Sequence, residues 1–230
     1  MTTKNFSMRE AVDFGWDTMK NNIGFFIGFL IVAVLVNVIP DIIAMMLEED
    51  SPFLSIIIQI VSSVLSMIIG MGLIKISLRF CDGETGEFSD LFSCYPLFIN
   101  YLIGSILCGL IVVAGLILLI IPGIIWAIQF YFYDYLIIDR GLGPVDALKK
   151  SSEITKGVKW DLFVFVILLG IINLLGFICL VVGLFATIPT TMIAMAFVYR
   201  KLLAQTELTE GYGAYQENYI NGDQRFSNSV

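Results

Sequence analysis

The sequence predicts an all-α, polytopic integral membrane protein with six transmembrane helices arranged as three hairpins. Of its 230 residues, 58% are hydrophobic and only 14% are charged, whereas a soluble domain carries roughly 25% charged residues. The charged residues also separate a few long uncharged runs from one another. A core of ordinary size cannot absorb so much apolar surface, so the excess must face lipid.

Composition also excludes several function classes. The net charge is −7 and the chain has no histidine. Nucleic-acid binding would need a clustered basic face, which is absent from the sequence. Without histidine, the commonest general base and metal ligand are both missing. The four cysteines, Cys81, Cys94, Cys108 and Cys179, fit no zinc or redox spacing. We therefore expect no metal, no cofactor and no catalytic residues.

The first element is an amphipathic helix over residues 6–20. This segment mixes acids and bases and lacks the apolar core of a signal peptide, so the first span should remain in the mature protein. At 100° per residue its charged and apolar side chains separate, which predicts an interfacial helix lying on the membrane. The apolar face comprises Met8, Ala11, Val12, Gly15, Trp16 and Met19.

The next two uncharged runs predict one span each. Twenty uncharged residues separate Lys20 from Asp41, and 24 separate Asp50 from Lys75. Because about 20 helical residues cross a hydrocarbon core, we expect spans over residues 23–39 and 53–74.

The third run is long enough for two spans. It holds 43 uncharged residues between Asp90 and Asp134, about 65 Å as a single helix, so it must fold back on itself. Pro122 lacks an N–H, and Gly123 adopts backbone angles that other residues resist. We therefore place the turn at this pair, with spans over residues 97–121 and 124–138.

A second interfacial helix is predicted over residues 144–157. Its charged side chains again lie opposite an apolar face of Ala147, Leu148, Ser151, Ile154 and Thr155. The charge spacing matches that of the first helix, which suggests a repeated unit of surface helix followed by hairpin. The alternative stays open, since any amphipathic helix before a span has a similar pattern.

The fourth run holds 38 uncharged residues between Asp161 and Arg200. A corner within Gly176–Gly183 predicts spans over residues 162–180 and 184–199. These complete a membrane domain over residues 1–202. Residues 203–230 are polar and lack periodicity, which predicts a disordered tail.

The distribution of basic residues predicts the orientation. All 13 Lys and Arg residues fall in the two termini and in the loops after the second and fourth spans. The positive-inside rule therefore places both termini in the cytoplasm.

Asp134 is the first candidate for a functional residue, since ionisable groups at membrane depth are rare. One interpretation makes it an interfacial aspartate in an aromatic belt, paired with Lys75 or Arg79. The other makes Asp134, Gln129 and Tyr133 part of a polar pocket for an ion or a lipid headgroup. Both alternatives stay open.

The stretch "IIPGIIWAIQFYFYDYLIIDRGLGPVDALKKSSEITKG" resembles a bacterial six-span superfamily that includes the membrane domain of some glycerophosphoryl diester phosphodiesterases. The shared features are a Pro-Gly turn, an aromatic span, an amphipathic helix and a following hairpin. The resemblance covers roughly residues 90–200 and implies a protein of the bacterial cytoplasmic membrane. In those relatives the phosphodiesterase is a separate barrel, so the enzyme activity does not transfer.

The sequence therefore favours a non-enzymatic integral membrane protein that organises lipids or scaffolds a complex. The alternative is a small transporter or permease-like protein with a pathway between the hairpins. The expected partner is the lipid bilayer, and a protein partner or a second copy of the chain remains open.

Overall fold

The computed structural model describes residues 4–48, 51–179 and 183–227, and these contain ten α-helices and no strand. The all-α class is therefore confirmed. The helices are α1 (Met8–Asn21), α2 (Ile23–Leu47), α3 (Pro52–Cys81), α4 (Asp90–Ser93), α5 (Phe98–Leu118), α6 (Ile120–Gln129), α7 (Tyr133–Arg140), α8 (Pro144–Thr155), α9 (Lys159–Ile178) and α10 (Leu184–Ser227).

Five helical segments are long and apolar enough to cross a membrane. They are α2, α3, the segment Asp90–Leu118 that ends with α5, the segment Ile120–Arg140 that contains α6 and α7, and α9. Large apolar side chains are widely exposed on them, such as Met45 at 77% and Ile117 at 80%. Apolar surface of this extent marks contact with lipid or a partner, so the helices indicate a membrane protein.

The sixth predicted span, residues 184–199, forms the start of α10, which is not among these five segments. Its apolar side chains largely face protein, and Ile193, Ala196 and Val198 are each 0% exposed. Helices α1, α3 and α9 pack around this part of α10. The apolar side chains that were predicted to contact lipid here instead form the centre of the protein core.

Helix α10 also continues into the segment that the sequence predicts to be a disordered tail, and it ends at Ser227. Leu203 and Thr206 are only 3% and 4% exposed. Gln205 accepts a hydrogen bond from the backbone N–H of Asn5 at 3.0 Å and donates one to the carbonyl of Asn5 at 2.8 Å. These contacts hold the start of the tail in the helix. Residues 228–230 lie outside the described residues.

Helix α1 packs along α10, and a close approach makes this possible. Ser7 caps the helix, since its Oγ accepts from the N–H of Glu10 at 3.3 Å. A Cβ added at Gly15 would lie 2.3 Å from the carbonyl oxygen of Thr190, so only glycine fits there. Much of the apolar face predicted to lie on the membrane is therefore covered by protein, although Trp16 remains 43% exposed.

The turn between α5 and α6 lies at Leu119, three residues before the predicted Pro-Gly turn. Leu119 is extended, with φ −163° and ψ 144°, and α6 begins directly after it. Pro122 fits inside the first turn of α6, where N–H groups have no partner within the helix. Gly123 instead allows α5 and α6 to cross closely, because a Cβ added at Gly115 would lie 2.8 Å from the Cα of Gly123.

Other helices are longer than predicted. Helix α2 passes through Pro40 and ends at Leu47 rather than at residue 39. Helix α3 ends at Cys81 rather than at residue 74, so Lys75 lies within it. Of the predicted corner Gly176–Gly183, residues 180–182 lie outside the described part of the chain.

Candidate functional site

Helices α6 and α7 form one interrupted helix, and α8 supplies the hydrogen bonds that the interruption requires. The backbone between Gln129 and Tyr133 is not α-helical. The carbonyl of Gln129 accepts from Ser151 Oγ at 3.0 Å and from Thr155 Oγ1 at 3.1 Å. Ser151 Oγ in turn accepts from the N–H of Phe132 at 3.1 Å. The apolar face of α8 is thus buried in protein, with Ser151 and Thr155 both 0% exposed.

Asp134 lies in the first turn of α7, directly after this interruption. Its Oδ1 accepts from the backbone N–H of Tyr135 at 2.8 Å, so it satisfies one of the free N–H groups at the helix start. The carboxylate forms no ion pair with a described cation. Tyr133 packs against α5, where a Cβ on Gly104 would lie 3.2 Å from its ring.

The predicted partners of Asp134 lie elsewhere. Arg79 pairs with Asp90 through two contacts of 2.9 and 2.7 Å and with Glu84 at 2.9 Å. Lys75 pairs with none of the acids that the structure describes. Arg79 is therefore held by acids that follow it in the sequence rather than by Asp134.

Gln129 belongs to a different site, formed with Lys159 at the start of α9. The Lys159 ammonium group donates to Gln129 Oε1 at 2.5 Å. This pair lies at one end of a groove of about 550 Å³ between α6 and α9. The residues that line the groove are Ile121, Ile124, Ile125, Ile128, Lys159, Trp160 and Phe163. We refer to it as the α6–α9 groove.

The α6–α9 groove is apolar along its length and polar at one end. From Ile128 to Ile121 it extends about 10 Å at 1.5 Å per residue. Trp160 follows Lys159, also lines the groove and is 74% exposed, and tryptophan is typical of the boundary between headgroups and hydrocarbon. The groove thus combines a slot for a hydrocarbon chain with a positive charge at its mouth.

A second site is a polar cavity of about 240 Å³ between the α6–α7 interruption, α9 and α10. Its polar lining comes from Tyr131, Tyr135, Asn173 and Thr191. Asn173 Nδ2 donates to Thr191 Oγ1 at 3.1 Å, whereas Asn173 Oδ1 is buried and has no hydrogen-bond partner.

A third polar cluster, centred on Arg200, joins α3, α7 and α10. Arg200 donates to Asp139 at 2.7 Å and to Asp82 at 2.6 Å, and the Tyr199 hydroxyl donates to Asp139 at 2.9 Å. Burial lowers the pKa of Arg200, but its bonds to the two carboxylates outweigh this and raise the pKa overall. The guanidinium group therefore stays charged, and the cluster ties three helices together.

Sequence reasoning missed the roles of Lys159 and Arg200. The sequence places Lys159 in the loop after the fourth span and Arg200 in the C-terminal segment, and their partners lie far away in the sequence. Lys159 is 30 residues from Gln129, and Arg200 is 61 residues from Asp139. One available signal for the groove was Trp160 beside Lys159, a pairing typical of a membrane interface.

Comparison with known proteins gives one family. Residues 95–210 match the model of a family described as a domain of unknown function, DUF7847. This match spans α5 to α9 and the first part of α10, and so includes the α6–α9 groove, the polar cavity and Arg200. No curated protein and no solved structure matches the chain.

Proposed function

The chain belongs to the DUF7847 family, and we propose that it is a non-enzymatic integral membrane protein that binds an anionic phospholipid in the α6–α9 groove. The observation that carries this proposal is the ammonium group of Lys159 at the mouth of an apolar groove of about 550 Å³. Small-molecule sites typically measure roughly 300–1,000 Å³, so one hydrocarbon chain is an occupant of suitable size.

The chemistry of the groove mouth suits a phosphate group. A lysine ammonium group has three N–H donors, and Gln129 engages one of them. The remaining donors can bind phosphate oxygens, while Gln129 holds the lysine in place. Lys156 adds positive charge just after α8, which favours a lipid with net negative charge.

The proposed topology brings the groove to the headgroup level of one leaflet. We propose six spans with both termini in the cytoplasm of a bacterial cell, the sixth span being the start of α10. Under the positive-inside rule, Lys159 then lies at the cytoplasmic leaflet. The resemblance to the six-span superfamily of the phosphodiesterase membrane domain remains part of this proposal.

A transporter-like role is the second candidate, and the polar cavity favours it. Polar groups within a helical bundle at membrane depth are typical of substrate pathways. The phospholipid site is preferred because its apolar length and its charge both match one ligand. A scaffold for a membrane or cytoplasmic protein would use surfaces other than this narrow groove.

The test compares two lysine variants in lipid nanodiscs. Lys159→Met removes the charge at the groove. Lys149→Met removes the same charge from an exposed position on α8, where its side chain is 72% exposed. Retention of phosphatidylglycerol relative to phosphatidylcholine is measured by native mass spectrometry. We expect Lys159→Met to lower this preference about fivefold, the equivalent of about 1 kcal/mol for one lysine.

The matched control decides the interpretation. Lys149→Met should keep the preference within about a factor of two, because it does not reach the groove. An equal loss of the phosphatidylglycerol preference in both variants would show that the preference comes from general surface charge and not from the groove. A wild-type protein that retains both lipids equally would refute the proposed function.

A further inference from the structure

The segment of residues 4–7, which precedes α1, reaches the end of α8, 149 residues further along the chain. Lys4 Nζ donates to the carbonyl oxygen of Glu153 at 2.5 Å and to that of Ile154 at 3.3 Å. Both carbonyls belong to the last turn of α8, where carbonyl groups lack their usual donor within the helix and carry partial negative charge. Lys4 therefore caps α8. We refer to residues 4–7 as the strap.

Two further contacts hold the strap against α9 and α10. The Phe6 ring packs edge-on against the ring of Phe165 in α9, with the ring centroids 5.5 Å apart. The backbone of Asn5 exchanges two hydrogen bonds with the side chain of Gln205 in α10, at 3.0 and 2.8 Å. Helix α1 has its own close contact with α10 at Gly15. The strap can therefore detach by local opening while α1 stays in place.

The turn of α8 that Lys4 caps is also bonded to the α6–α9 groove. Thr155, the last residue of α8, donates through Oγ1 to the carbonyl of Gln129 at 3.1 Å. Three residues separate Thr155 from Lys159, and one of them, Gly157, has a left-handed φ of +91°. The end of α8 therefore positions both members of the Gln129–Lys159 pair, one through a hydrogen bond and the other through a short corner of the chain.

We propose that the strap holds Lys159 at the mouth of the α6–α9 groove and that Lys4 is the positioning residue through which it does so. The effect on lipid rests on the proposed function, whereas the hold on the corner between α8 and α9 is a property of the fold. When Lys4 leaves the last turn of α8, this corner loosens and the Lys159 ammonium group loses its fixed position beside Gln129. The groove then keeps its apolar lining but binds a phosphate group less well.

Amide hydrogen exchange of the full chain in nanodiscs, followed by mass spectrometry, tests the hold on the corner. The reporters are the N–H groups of Val158 and Leu162, which donate to the carbonyls of Thr155 and Val158 at 3.1 and 2.9 Å. We expect Lys4→Met to speed their exchange about tenfold, because hydrogen bonds from a charged group are among the stronger ones. Lys4→Arg keeps the charge and the donors, so its exchange should stay within about threefold of wild type.

Two more variants separate the strap from general surface charge. Gln205→Leu removes both bonds between the strap and α10 without a change of charge, and it should also speed exchange at the corner. Lys20→Met is the matched control, since Lys20 lies in the last turn of α1 and is exposed; exchange at the corner should match wild type. In the nanodisc lipid assay, Lys4→Met should lower the preference for phosphatidylglycerol about threefold, and Lys20→Met should change it less than about twofold.

Two results would overturn the proposal. Unchanged exchange in Lys4→Met would show that the strap does not hold the corner. Faster exchange with an unchanged lipid preference, in a protein whose preference falls in Lys159→Met, would show that the corner does not position Lys159. If Lys159→Met itself leaves the preference unchanged, the proposed function fails, and the exchange rates of Lys4→Met still support or overturn the strap.

Discussion

Replacement of Arg200 by methionine should destabilise the protein substantially, because it leaves the Asp139 carboxylate buried without its main cation. The Asp139 side chain is only 11% exposed, and that of Arg200 is 26% exposed. Methionine keeps most of the aliphatic length of arginine, so the loss is mainly electrostatic. The change also frees Asp82, whose side chain is 44% exposed and readily hydrated.

The magnitude follows from what remains around Asp139. Removal of one partner from a fully buried pair costs about 3–5 kcal/mol. Asp139 keeps the Tyr199 hydroxyl at 2.9 Å and Arg140 Nε at 3.2 Å, and Arg200 is partly solvated. We therefore expect a loss of about 2–3 kcal/mol, which lowers the apparent Tm by roughly 4–12 °C in a protein of this size.

The assay is thermal unfolding in detergent, followed by tryptophan fluorescence, for five proteins: wild type, Arg9→Met, Arg200→Met, Asp139→Asn and the double variant of the last two. Arg9→Met is the matched control, since Arg9 pairs with Asp13 on the surface and its side chain is 92% exposed. Its Tm should stay within about 2 °C of wild type. The double variant Asp139→Asn/Arg200→Met should be more stable than Arg200→Met alone, because it removes the unpaired charge.

Two results would refute this reasoning. A Tm for Arg200→Met equal to that of Arg9→Met would show that the cluster contributes no more than a surface pair. A double variant whose loss is the sum of the two single losses would show that Asp139 and Arg200 are not coupled.

Three further changes test the packing and topology. Gly15→Leu should separate α1 from α10 and cost about 2–3 kcal/mol, measured as a lower apparent Tm. Ser151→Ala should cost about 2 kcal/mol in the same assay, because it leaves the buried N–H of Phe132 without a partner, while the carbonyl of Gln129 keeps its bond from Thr155. In a protein without its native cysteines, Ser51→Cys should react with an impermeant thiol reagent added to intact cells. Lys149→Cys should stay protected until the cells are permeabilised.

Each of these has a control within the chain. Gly24→Leu should be neutral, because a Cβ at Gly24 meets no atom within 4 Å. Ser152→Ala lies beside Ser151 on α8 but bonds none of the α6–α7 backbone, so its Tm should match wild type. Unchanged stability in Gly15→Leu or Ser151→Ala would contradict the packing described for α10 or α8, and the reverse labelling pattern would contradict the proposed orientation.

The sequence predicted helix and turn where a single physical limit applied. An uncharged run of 43 residues is too long for a single crossing of a bilayer, and it does fold back as α5 and α6. The exact turn was not predictable from Pro122, because the crossing of Gly115 and Gly123 places it at Leu119. That contact involves two glycines on different helices, and a local pattern carries no information about it.

Whether an apolar residue faces lipid or protein was harder to predict than whether it lies in a helix. The apolar residues at the start of α10 have the same hydropathy whether they face lipid or protein, so the sequence alone could not show that many of residues 184–199 pack against other helices. Thr190 and Thr191, which are 2% and 6% exposed, were one signal that this helix packs against others. For the candidate sites, the sequence places Gln129 with Asp134 and Tyr133, whereas in the structure it bonds Lys159, which becomes adjacent only in the folded chain.

The burial of α10 has a consequence for how the protein is made. A ribosome synthesises the chain from the N-terminus, so α1 emerges long before the helix that covers its apolar face. Until Thr190 has been translated, Gly15 has no surface against which to pack, and α1 must wait at the lipid surface or with a chaperone. The packing of α1 is therefore completed only after α10 has been translated, and a chain that stops before residue 184 lacks the centre around which the other described helices close.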